Sequence, residues 1–261
     1  QPDWYIGWLD GALRTMPNWE STLFGFTVSW NIFIPAVVIP GIIFTALALY
    51  PFLEAWVTGD KKEHHLLDRP RNAPTRTGIG VMSLTFYLLL WVGGANDIIA
   101  LTFGLSINAI TWTLRIALFV IPPIMFVVTR RICLGLQRRD RDKLLHGYES
   151  GRVLRLPHGE FIEVHQPINA KEMAVITGKT DITPLPLPPA TDADGVRNKH
   201  FQIKKLRAKL SGFFYSENVA LPTAAEIEEG QHHVAHAAAL EAPLHEYEDA
   251  DQINRAHGGV L

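Results

Sequence analysis

Long apolar runs separated by short charged segments dominate the first half of the chain. No charged residue lies between Glu20 and Glu54, and the core of that interval reads FTVSWNIFIPAVVIPGIIFTALALYPF. Because about 20 apolar residues suffice to cross ~30 Å of hydrocarbon, this interval predicts a membrane-spanning helix over about 28–52. Pro35 and Pro40 fall inside it, and a membrane helix tolerates such prolines with a kink.

Two further runs have the length and composition of membrane spans. TGIGVMSLTFYLLLWVGGAN predicts a span over about 77–96, and NAITWTLRIALFVIPPIMFVVT predicts one over about 108–129. Arg115 lies inside the third run near its start, from where a long side chain can extend to the lipid headgroups. A buried soluble core is the alternative for all three runs, but it leaves the flanking Trp and Arg residues unexplained. The pattern therefore predicts an all-α membrane protein with three transmembrane helices.

The charges of the connecting segments predict the orientation of these spans. Residues 58–76 contain five Lys or Arg and residues 130–143 contain six, whereas residues 95–108 contain none. Basic segments tend to remain on the cytoplasmic side of a membrane. We therefore expect a multi-pass protein of the cell membrane, with its opening segment outside and its tail in the cytoplasm. Tryptophan is enriched at membrane interfaces, and four tryptophans fall near the predicted ones: Trp19, Trp56, Trp91 and Trp112.

The second half of the chain is polar and is organised differently. All seven tryptophans precede it, and its acidic residues outnumber its basic ones. GRVLRLPHGEFIEVHQPI alternates apolar and polar residues around a Pro-His-Gly turn, which predicts a β-hairpin, and TPLPLPPATDADG is typical of a linker. Nine acidic residues against one arginine in residues 217–261 favour disorder or an arm that needs a partner. We predict an outer loop, a three-helix transmembrane domain and a mostly irregular cytoplasmic tail, over residues 1–27, 28–135 and 136–261.

One basic segment of the tail has the pattern of an amphipathic helix. Residues 197–214, RNKHFQIKKLRAKLSGFF, contain six basic and no acidic residues. Five apolar residues could share one helical face: Phe201, Leu206, Leu210, Phe213 and Phe214. This pattern suits a helix on an anionic inner leaflet, and a solvated basic helix that contacts a partner protein is an equal alternative. The basic segments lack interleaved aromatic residues, so no nucleic-acid partner is predicted.

The sequence offers few candidate metal ligands. Its single cysteine, Cys133, excludes an internal disulfide and any multi-cysteine metal site, and a buried inert thiol is the expected state. All eleven histidines lie outside the predicted spans, which excludes a bis-histidine haem site in the membrane part of this chain. His232, His233 and His236 have the helical spacing of metal ligands, but their Ala-rich acidic surroundings provide no apolar shell. We therefore predict no metal site in this chain.

The opening residues, QPDWYIGWLDGALRTMPNWE, place a carboxylate among apolar groups. Pro2 restricts the backbone before Asp3, and Trp4 and Tyr5 supply apolar walls after it. Loss of hydration raises the pKa of a carboxyl group, which makes Asp3 a candidate proton acceptor for a bound hydroxyl. An ordinary interfacial aspartate beside aromatic residues of the membrane belt is the alternative, and composition alone favours it. The chain contains no Gly-rich phosphate loop, nucleophile elbow or catalytic triad signature.

This segment resembles the quinol-oxidation motif of the cytochrome b family, in which Pro-Glu-Trp-Tyr precedes a transmembrane helix. Pro2, Trp4 and Tyr5 match that motif, and Asp3 replaces its glutamate. Further identities follow without a gap, where the family commonly has Leu-Arg-Ser-Ile-Pro-Asn: Leu13, Arg14, Pro17 and Asn18. The resemblance covers about residues 1–135 and looks like the carboxy-terminal third of a cytochrome b. The aspartate and the long cytoplasmic extension look like the actinobacterial menaquinol-oxidising form.

The resemblance implies a role in a quinol–cytochrome c reductase, which is respiratory complex III. The chain would form one wall of the outer quinol-oxidation pocket. Quinol would give one electron to an iron–sulfur subunit and the other to haem b in the amino-terminal half of cytochrome b, while two protons leave to the outside. Asp3 would accept one of these protons, and Tyr5 would line the quinol site or hydrogen-bond to the quinol. Trp4, Pro2 and Arg14 would fix the loop.

The resemblance also implies supporting residues and partners. Pro17 and Asn18 would support the site, whereas Asp10 falls where relatives often have tyrosine, so its role stays open. Asp3 is shorter than glutamate by one carbon–carbon bond, roughly 1.5 Å, which a bridging water can compensate. The expected partners are the haem-bearing half of cytochrome b, the Rieske iron–sulfur subunit, a cytochrome c subunit, a terminal oxidase and the lipid bilayer, in a dimeric complex.

A different class of function is a non-catalytic membrane scaffold whose cytoplasmic tail organises partner proteins. The spacing of Pro-Asp-Trp-Tyr distinguishes the two hypotheses, because a scaffold has no reason to keep it.

Overall fold

The computed structural model describes residues 5–59, 68–155, 159, 161–178, 184–189, 200–215 and 218–235. The chain divides into two compact units. The first, here called the membrane unit, consists of Gln1–Cys133 and Ile182–Glu217. The second, here called the tail unit, consists of Leu134–Asp181 and Asn218–Leu261.

The membrane unit begins with a short helix and a hairpin. Helix α1, Gly7–Thr15, is followed by the strands β1, Glu20–Leu23, and β2, Phe26–Ser29. The two strands are antiparallel and pair Glu20 with Ser29 and Leu23 with Phe26. Phe24 and Gly25 form the turn with positive φ angles of 53° and 82°, a region that glycine adopts without strain. The sequence analysis predicted only a loop in this region.

Three helices of the described residues are long and apolar enough to cross a membrane, which confirms the predicted fold class. The first is a continuous run, Trp30–Thr58, made of α2, Trp30–Phe33, a π-helical turn, Ile34–Val38, and α3, Ile39–Thr58. Proline lacks the N–H group that an α-helical turn requires. Pro35 therefore accounts for the irregular turn that contains it, and the helix continues beyond it.

The other two spanning helices are α4, Pro74–Gly93, and α6, Ile107–His146. Between them lies α5, Asn96–Phe103, in a segment where no helix was predicted. Helix α6 has 40 residues and continues far beyond the apolar run, which ends near residue 129. Its second part contains polar residues such as Gln137 and Asp140. Hydropathy locates the apolar part of a helix and not the end of its backbone hydrogen bonding.

The remaining helix of the membrane unit is basic. Helix α8, Phe201–Tyr215, packs against α3 and α4. Cys133 is buried, as expected, and its Sγ lies 3.8 Å from the carbonyl oxygen of Pro70 in a short 3₁₀ turn, Pro70–Asn72.

The tail unit contains the predicted β-hairpin. Strands β3, Tyr148–Arg155, and β4, Phe161–Gln166, pair antiparallel, with an irregularity between Glu149 and Arg152. Helix α7, Ala170–Thr177, follows and begins at Asn169, whose side chain accepts a hydrogen bond from the backbone N–H of Lys171. This arrangement satisfies one of the N–H groups that a helix start leaves unpaired.

The tail unit has its own small core, which corrects one expectation. Leu144, Ile168 and Ile176 are buried together, and Leu221 and Ile227 pack against them among the partly buried residues. The prediction of disorder is therefore wrong for residues 218–235, of which 224–235 are helical. Apolar residues spaced along an acidic segment supply the packing that its overall charge does not suggest.

Candidate quinol-site region

The backbone of α1 directly contacts the backbone of α4 at the carboxyl end of α4. A Cβ atom added to Gly11 would lie 1.6 Å from the carbonyl oxygen of Leu90 and 2.7 Å from the backbone nitrogen of Gly94. Only glycine permits such an approach of two backbones, and small residues serve this purpose at helix contacts in membranes. Gly7, one turn earlier on the same face, contacts the indole of Trp91 in the same way, since its Cβ would lie 3.0 Å from two ring atoms.

Aromatic and aliphatic side chains complete this contact. The rings of Trp8 and Tyr87 lie 5.9 Å apart in a tilted arrangement, and Leu90 and Ala12 are buried. Aromatic pairs at such distances add a modest attraction to the burial of their surfaces. The position of α1 is therefore set by packing along its whole length.

Arg14 joins α1 to the start of α5. Its Nε lies 2.8 Å from a carboxylate oxygen of Asp10, four residues earlier, and its Nη1 lies 3.0 Å from Asp97. The same Nη1 donates a hydrogen bond of 2.9 Å to the side-chain oxygen of Asn96, which is buried. These contacts join α1 to α5, and Asp10 orients the Arg14 side chain; the role of Arg14 in fixing the loop stays a prediction.

Electrostatics favour the charged forms within this cluster. Burial lowers the pKa of the Arg14 guanidinium, but the hydrogen bond to Asp10 and the two carboxylates outweigh it, so the pKa lies above its ordinary value. The backbone N–H of Ile98 and the nearby guanidinium lower the pKa of the Asp97 carboxyl. Both groups therefore stay ionised at neutral pH, and the link between α1 and α5 persists.

Arg115 binds the carboxyl end of α1. Its Nε donates a hydrogen bond of 2.6 Å to the carbonyl oxygen of Thr15, and its Nη2 donates one of 3.4 Å to that of Met16. The last carbonyl groups of a helix lack partners and carry partial negative charge, so a guanidinium is well suited to them. The expected extension of Arg115 to lipid headgroups is therefore wrong, because the side chain binds protein backbone. Its guanidinium also lies 4.8 Å from the ring of Trp112.

The segment after α1 leads into the first spanning helix through local hydrogen bonds. The carbonyl of Pro17 accepts from the backbone N–H of Trp19 at 2.9 Å, and the Trp19 carbonyl accepts from Trp30 at 2.9 Å. Asn31 donates through its side-chain nitrogen to the side-chain oxygen of Asn18, also at 2.9 Å. Pro17 and Asn18 thus belong to the junction between the hairpin and the first span.

Of the residues predicted to carry the chemistry, the structure describes Tyr5, near the amino end of α1. Tyr5 precedes α1 by two residues, and its side chain is 53% exposed. Ile6 and Leu13 are also partly exposed, so the start of α1 and its outer side present apolar surface among the described residues. Pro2, Asp3 and Trp4 lie outside the described residues.

Histidines do not gather into a metal site within the described residues. No group of three or more His, Cys, Asp or Glu side chains there could hold a metal ion. The rings of His232 and His233 lie 6.3 Å apart on the helical residues 224–235, and His236 lies outside the part of the chain that the structure describes.

Sequence reasoning did not identify Gly11, Asn96 or the role of Arg115. Two signals were present in the sequence. Gly7 and Gly11 are four residues apart, which is the spacing of small residues at helix contacts. A charged residue within an apolar run most often faces protein and not lipid, and Arg115 is such a residue.

Comparison with known proteins gives the lineage of the chain. No family model matches the sequence. The chain is 53% identical over 222 residues to the cytochrome bc1 complex cytochrome b subunit of Streptomyces coelicolor, covering 85% of this chain and 41% of that protein. The subunit of Mycobacterium bovis is 40% identical over 250 residues, with coverages of 96% and 43%, and that of Corynebacterium diphtheriae is 47% identical over 168 residues, with coverages of 64% and 31%.

The chain therefore spans about two fifths of the length of the first two relatives. This share is consistent with the predicted carboxy-terminal part of a cytochrome b. Because the match to the Mycobacterium bovis protein covers 96% of this chain, it includes most of the tail as well as the spans. The resemblance read from the opening residues is thus confirmed: the chain is a homologue of part of the cytochrome b subunit of actinobacterial cytochrome bc1 complexes.

Proposed function

We propose that this chain forms one wall of the outer quinol-oxidation site in a quinol–cytochrome c oxidoreductase. The observation that carries the proposal is the fixed position of α1, which directly follows the Pro-Asp-Trp-Tyr sequence. Glycine contacts with α4 and two arginines hold this helix, while Tyr5, Ile6 and Leu13 leave apolar surface uncovered. The apolar ring of a quinol needs such a surface to pack against. The second wall of the site would come from the haem-bearing half of cytochrome b.

In this proposal Asp3 is the proton acceptor. A quinol hydroxyl loses its proton as the ring is oxidised, and a carboxylate within hydrogen-bond reach, directly or through one water, can take it. Tyr5 would line the site or hydrogen-bond to the quinol, and Pro2 and Trp4 would restrict the loop that carries the carboxylate. Arg14 and Arg115 act only through the position of α1, so they are positioning residues.

The orientation of the chain in the membrane would determine on which side the protons of quinol oxidation are released. The end of α4 that contacts α1 lies away from the basic segments, which start near residue 58 and residue 130. If basic segments face the cytoplasm, protons accepted by Asp3 are released outside. Electrons would leave through the Rieske iron–sulfur subunit and through haem b, which supplies one-electron transfer when bound. The sequence contains no histidine between His65 and His146, so the haem ligands would come from the other half of cytochrome b.

The remaining partners follow from the same proposal. A cytochrome c subunit would receive the electrons of the iron–sulfur subunit and pass them to a terminal oxidase, within a dimeric respiratory complex. Menaquinol is the proposed substrate, because the aspartate variant of the motif resembles that of menaquinol-oxidising relatives. Turnover of the complex with menaquinol and ubiquinol analogues tests this choice, and a clear preference for the ubiquinol analogue would contradict it.

Substitution of Asp3 tests the proposed proton transfer. In the assembled complex, Asp3→Asn should leave haem content unchanged but severely lower quinol-dependent cytochrome c reduction, because an amide cannot accept the proton. Asp3→Glu should retain most of the activity, since it restores the carboxylate of the family motif. Glu20→Gln, which changes an exposed carboxylate of β1, is the matched control and should have no effect. Unchanged turnover in Asp3→Asn would remove Asp3 from the mechanism.

A further inference from the structure

Helix α8 contacts all three spanning helices. The guanidinium of Arg207 donates a hydrogen bond to the carbonyl oxygen of Trp56, in the last turn of α3. The hydroxyl of Thr75, in the first turn of α4, donates one of 3.2 Å to the carbonyl oxygen of Phe213. The ring of Phe213 stacks on that of Phe126 in α6, with centroids 6.1 Å apart.

These contacts place α8 at one level of the membrane unit. Trp56 lies two residues before the end of α3, Thr75 one residue after the start of α4, and Phe126 near the end of the apolar run of α6. Arg207 and Phe213 are six residues apart, which corresponds to about 9 Å along a helix. The helix therefore extends from the end of one span toward the ends of the two others, at the depth where hydrocarbon meets headgroups.

The face of α8 toward the protein consists of small residues. Ala208 and Ser211 are buried, and the hydroxyl of Ser211 accepts a hydrogen bond of 3.0 Å from the backbone N–H of Leu185. Leu185 also lies close to Gly59 at the end of α3. The proline-rich residues 184–189 thus help to cover this side, and α8 has a defined inner and outer face.

The outer face is apolar, which is unusual for a helix exposed to water. Ile203, Leu206 and Phe213 are 57%, 53% and 44% exposed. At 100° per residue these three positions fall within one third of the helix circumference. Isolated exposed apolar residues are ordinary, but a row of them along one helix face marks a surface that contacts something apolar.

The charged residues of α8 are all of one sign. Lys204, Lys205, Arg207 and Lys209 belong to α8, and the helix contains no acidic residue. Two cations lie beside aromatic rings of α8: Lys205 is 5.6 Å from the ring of Phe201, and Arg130 of α6 is 5.7 Å from the ring of Phe213. An apolar stripe bordered by lysines matches the boundary of an anionic leaflet, where acyl chains meet phosphate groups.

We propose that α8 is an interfacial helix that binds anionic lipid of the leaflet on its side of the membrane. Its apolar face enters the boundary between acyl chains and headgroups, and Lys205 and Lys209 bind lipid phosphate groups. The sequence left a membrane surface and a partner protein as equal alternatives. Contact with three spans favours the membrane, because a helix at that depth meets lipid before it meets a soluble protein. This inference does not depend on the quinol chemistry.

Fluorescence in lipid nanodiscs tests the proposal on the assembled complex. A bimane label is attached at Leu206→Cys, on the outer face. The control carries the label at Lys204→Cys, which lies about 160° around the helix from residue 206. The signal of the unsubstituted complex is subtracted from both. Discs are made with brominated phosphatidylcholine, alone or with phosphatidylglycerol. We expect quenching of the label at residue 206 and little at residue 204, with stronger quenching at 206 in the anionic discs.

Charge removal separates lipid recognition from simple insertion. Lys205→Gln and Lys209→Gln together, with the label at residue 206, should abolish the increase that phosphatidylglycerol causes. Arg139→Gln with Lys171→Gln is the matched control in the tail unit and should retain it. Quenching that ignores phosphatidylglycerol and the lysines would overturn the anionic-lipid assignment. An unquenched label would overturn the proposal, whether its emission shows exposure to water or a cover of protein.

Discussion

Helices α1 and α8 both contact α4, but they do so at opposite ends. Gly11 of α1 contacts Leu90, whereas Phe213 of α8 accepts a hydrogen bond from Thr75. Leu90 and Thr75 are fifteen residues apart on α4, which corresponds to about 22 Å along the helix axis and nearly crosses the hydrocarbon core. The two helices therefore lie at opposite ends of this spanning helix.

The two helices are held by different means. The backbone of α1 touches that of α4, Arg14 of α1 binds Asn96 at the start of α5, and Arg115 binds the carbonyl oxygen of Thr15 at the carboxyl end of α1. Helix α8 has one apolar face turned away from the protein, together with four basic residues. The position of α1 is therefore determined by contacts within the protein, whereas in our proposal lipid completes the surroundings of α8.

The largest effect is expected from a methyl group at the contact between α1 and α4. In Gly11→Ala the new Cβ would lie 1.6 Å from the carbonyl oxygen of Leu90, so one backbone must move. Overpacking of this kind costs about 1–3 kcal/mol or more, and we expect loss of quinol-dependent turnover and a lower yield of assembled complex. Gly80→Ala on α4 is the control, because its Cβ would meet no atom within 4 Å. Equal activity of the two variants would contradict a close backbone contact between α1 and α4.

Removal of the guanidinium at the end of α1 should have the second largest effect. Arg115→Ala leaves the carbonyl groups of Thr15 and Met16 without their charged donor, and hydrogen bonds to charged groups contribute about 1.5–3 kcal/mol. Since 1.4 kcal/mol corresponds to a factor of ten, we expect turnover at least about tenfold lower, with haem content retained. Arg139→Ala, on an exposed position of the same helix, should leave turnover unchanged. A normal rate in Arg115→Ala would show that α1 holds its place without this contact.

The smallest effect should come from Asp97, whose side chain is 56% exposed. Asp97→Asn removes one ion pair of Arg14 but leaves Asp10 and Asn96 in place, and exposed ion pairs contribute little. Because the pKa of Asp97 is lowered in the folded state, its contribution to stability is present at neutral pH and is lost as the pH falls through that lowered pKa. Thermal unfolding of the two complexes should therefore differ slightly at neutral pH and coincide at acid pH. A difference that grows in acid would contradict this assignment.

The sequence was sufficient for the number of spans and for the family. Charge-free runs of about 20 residues have few physical alternatives, because an unpaired backbone is excluded from lipid. The β3–β4 hairpin was predictable for a similar reason, since alternation around a turn favours one local structure. The motif residues at the start of the chain carried the family resemblance without any structural information.

The rest depends on contacts between residues that are distant in sequence. Arg115 was placed at the headgroups because its partners, the carbonyl groups of Thr15 and Met16, are 100 and 99 residues away. The role of Gly11 depends in the same way on Leu90, which is distant in sequence but lies beside it in the structure. A further local signal lies at residues 223–226. There the side chains of Thr223 and Glu226 each accept a hydrogen bond from the backbone N–H of the other and start the helix, in a segment judged by its charge alone.

Labelling of single cysteines from the two sides of the membrane tests the central claim most directly. Phe24→Cys, at the 97% exposed tip of the β1–β2 hairpin near α1, and Gln202→Cys, on an exposed position of α8, are compared in intact cells with a membrane-impermeant maleimide. The account predicts that residue 24 reacts from outside, whereas residue 202 reacts only after permeabilisation. Reaction at residue 202 from outside, with residue 24 protected, would place α1 in the cytoplasm and contradict an outer quinol-oxidation site.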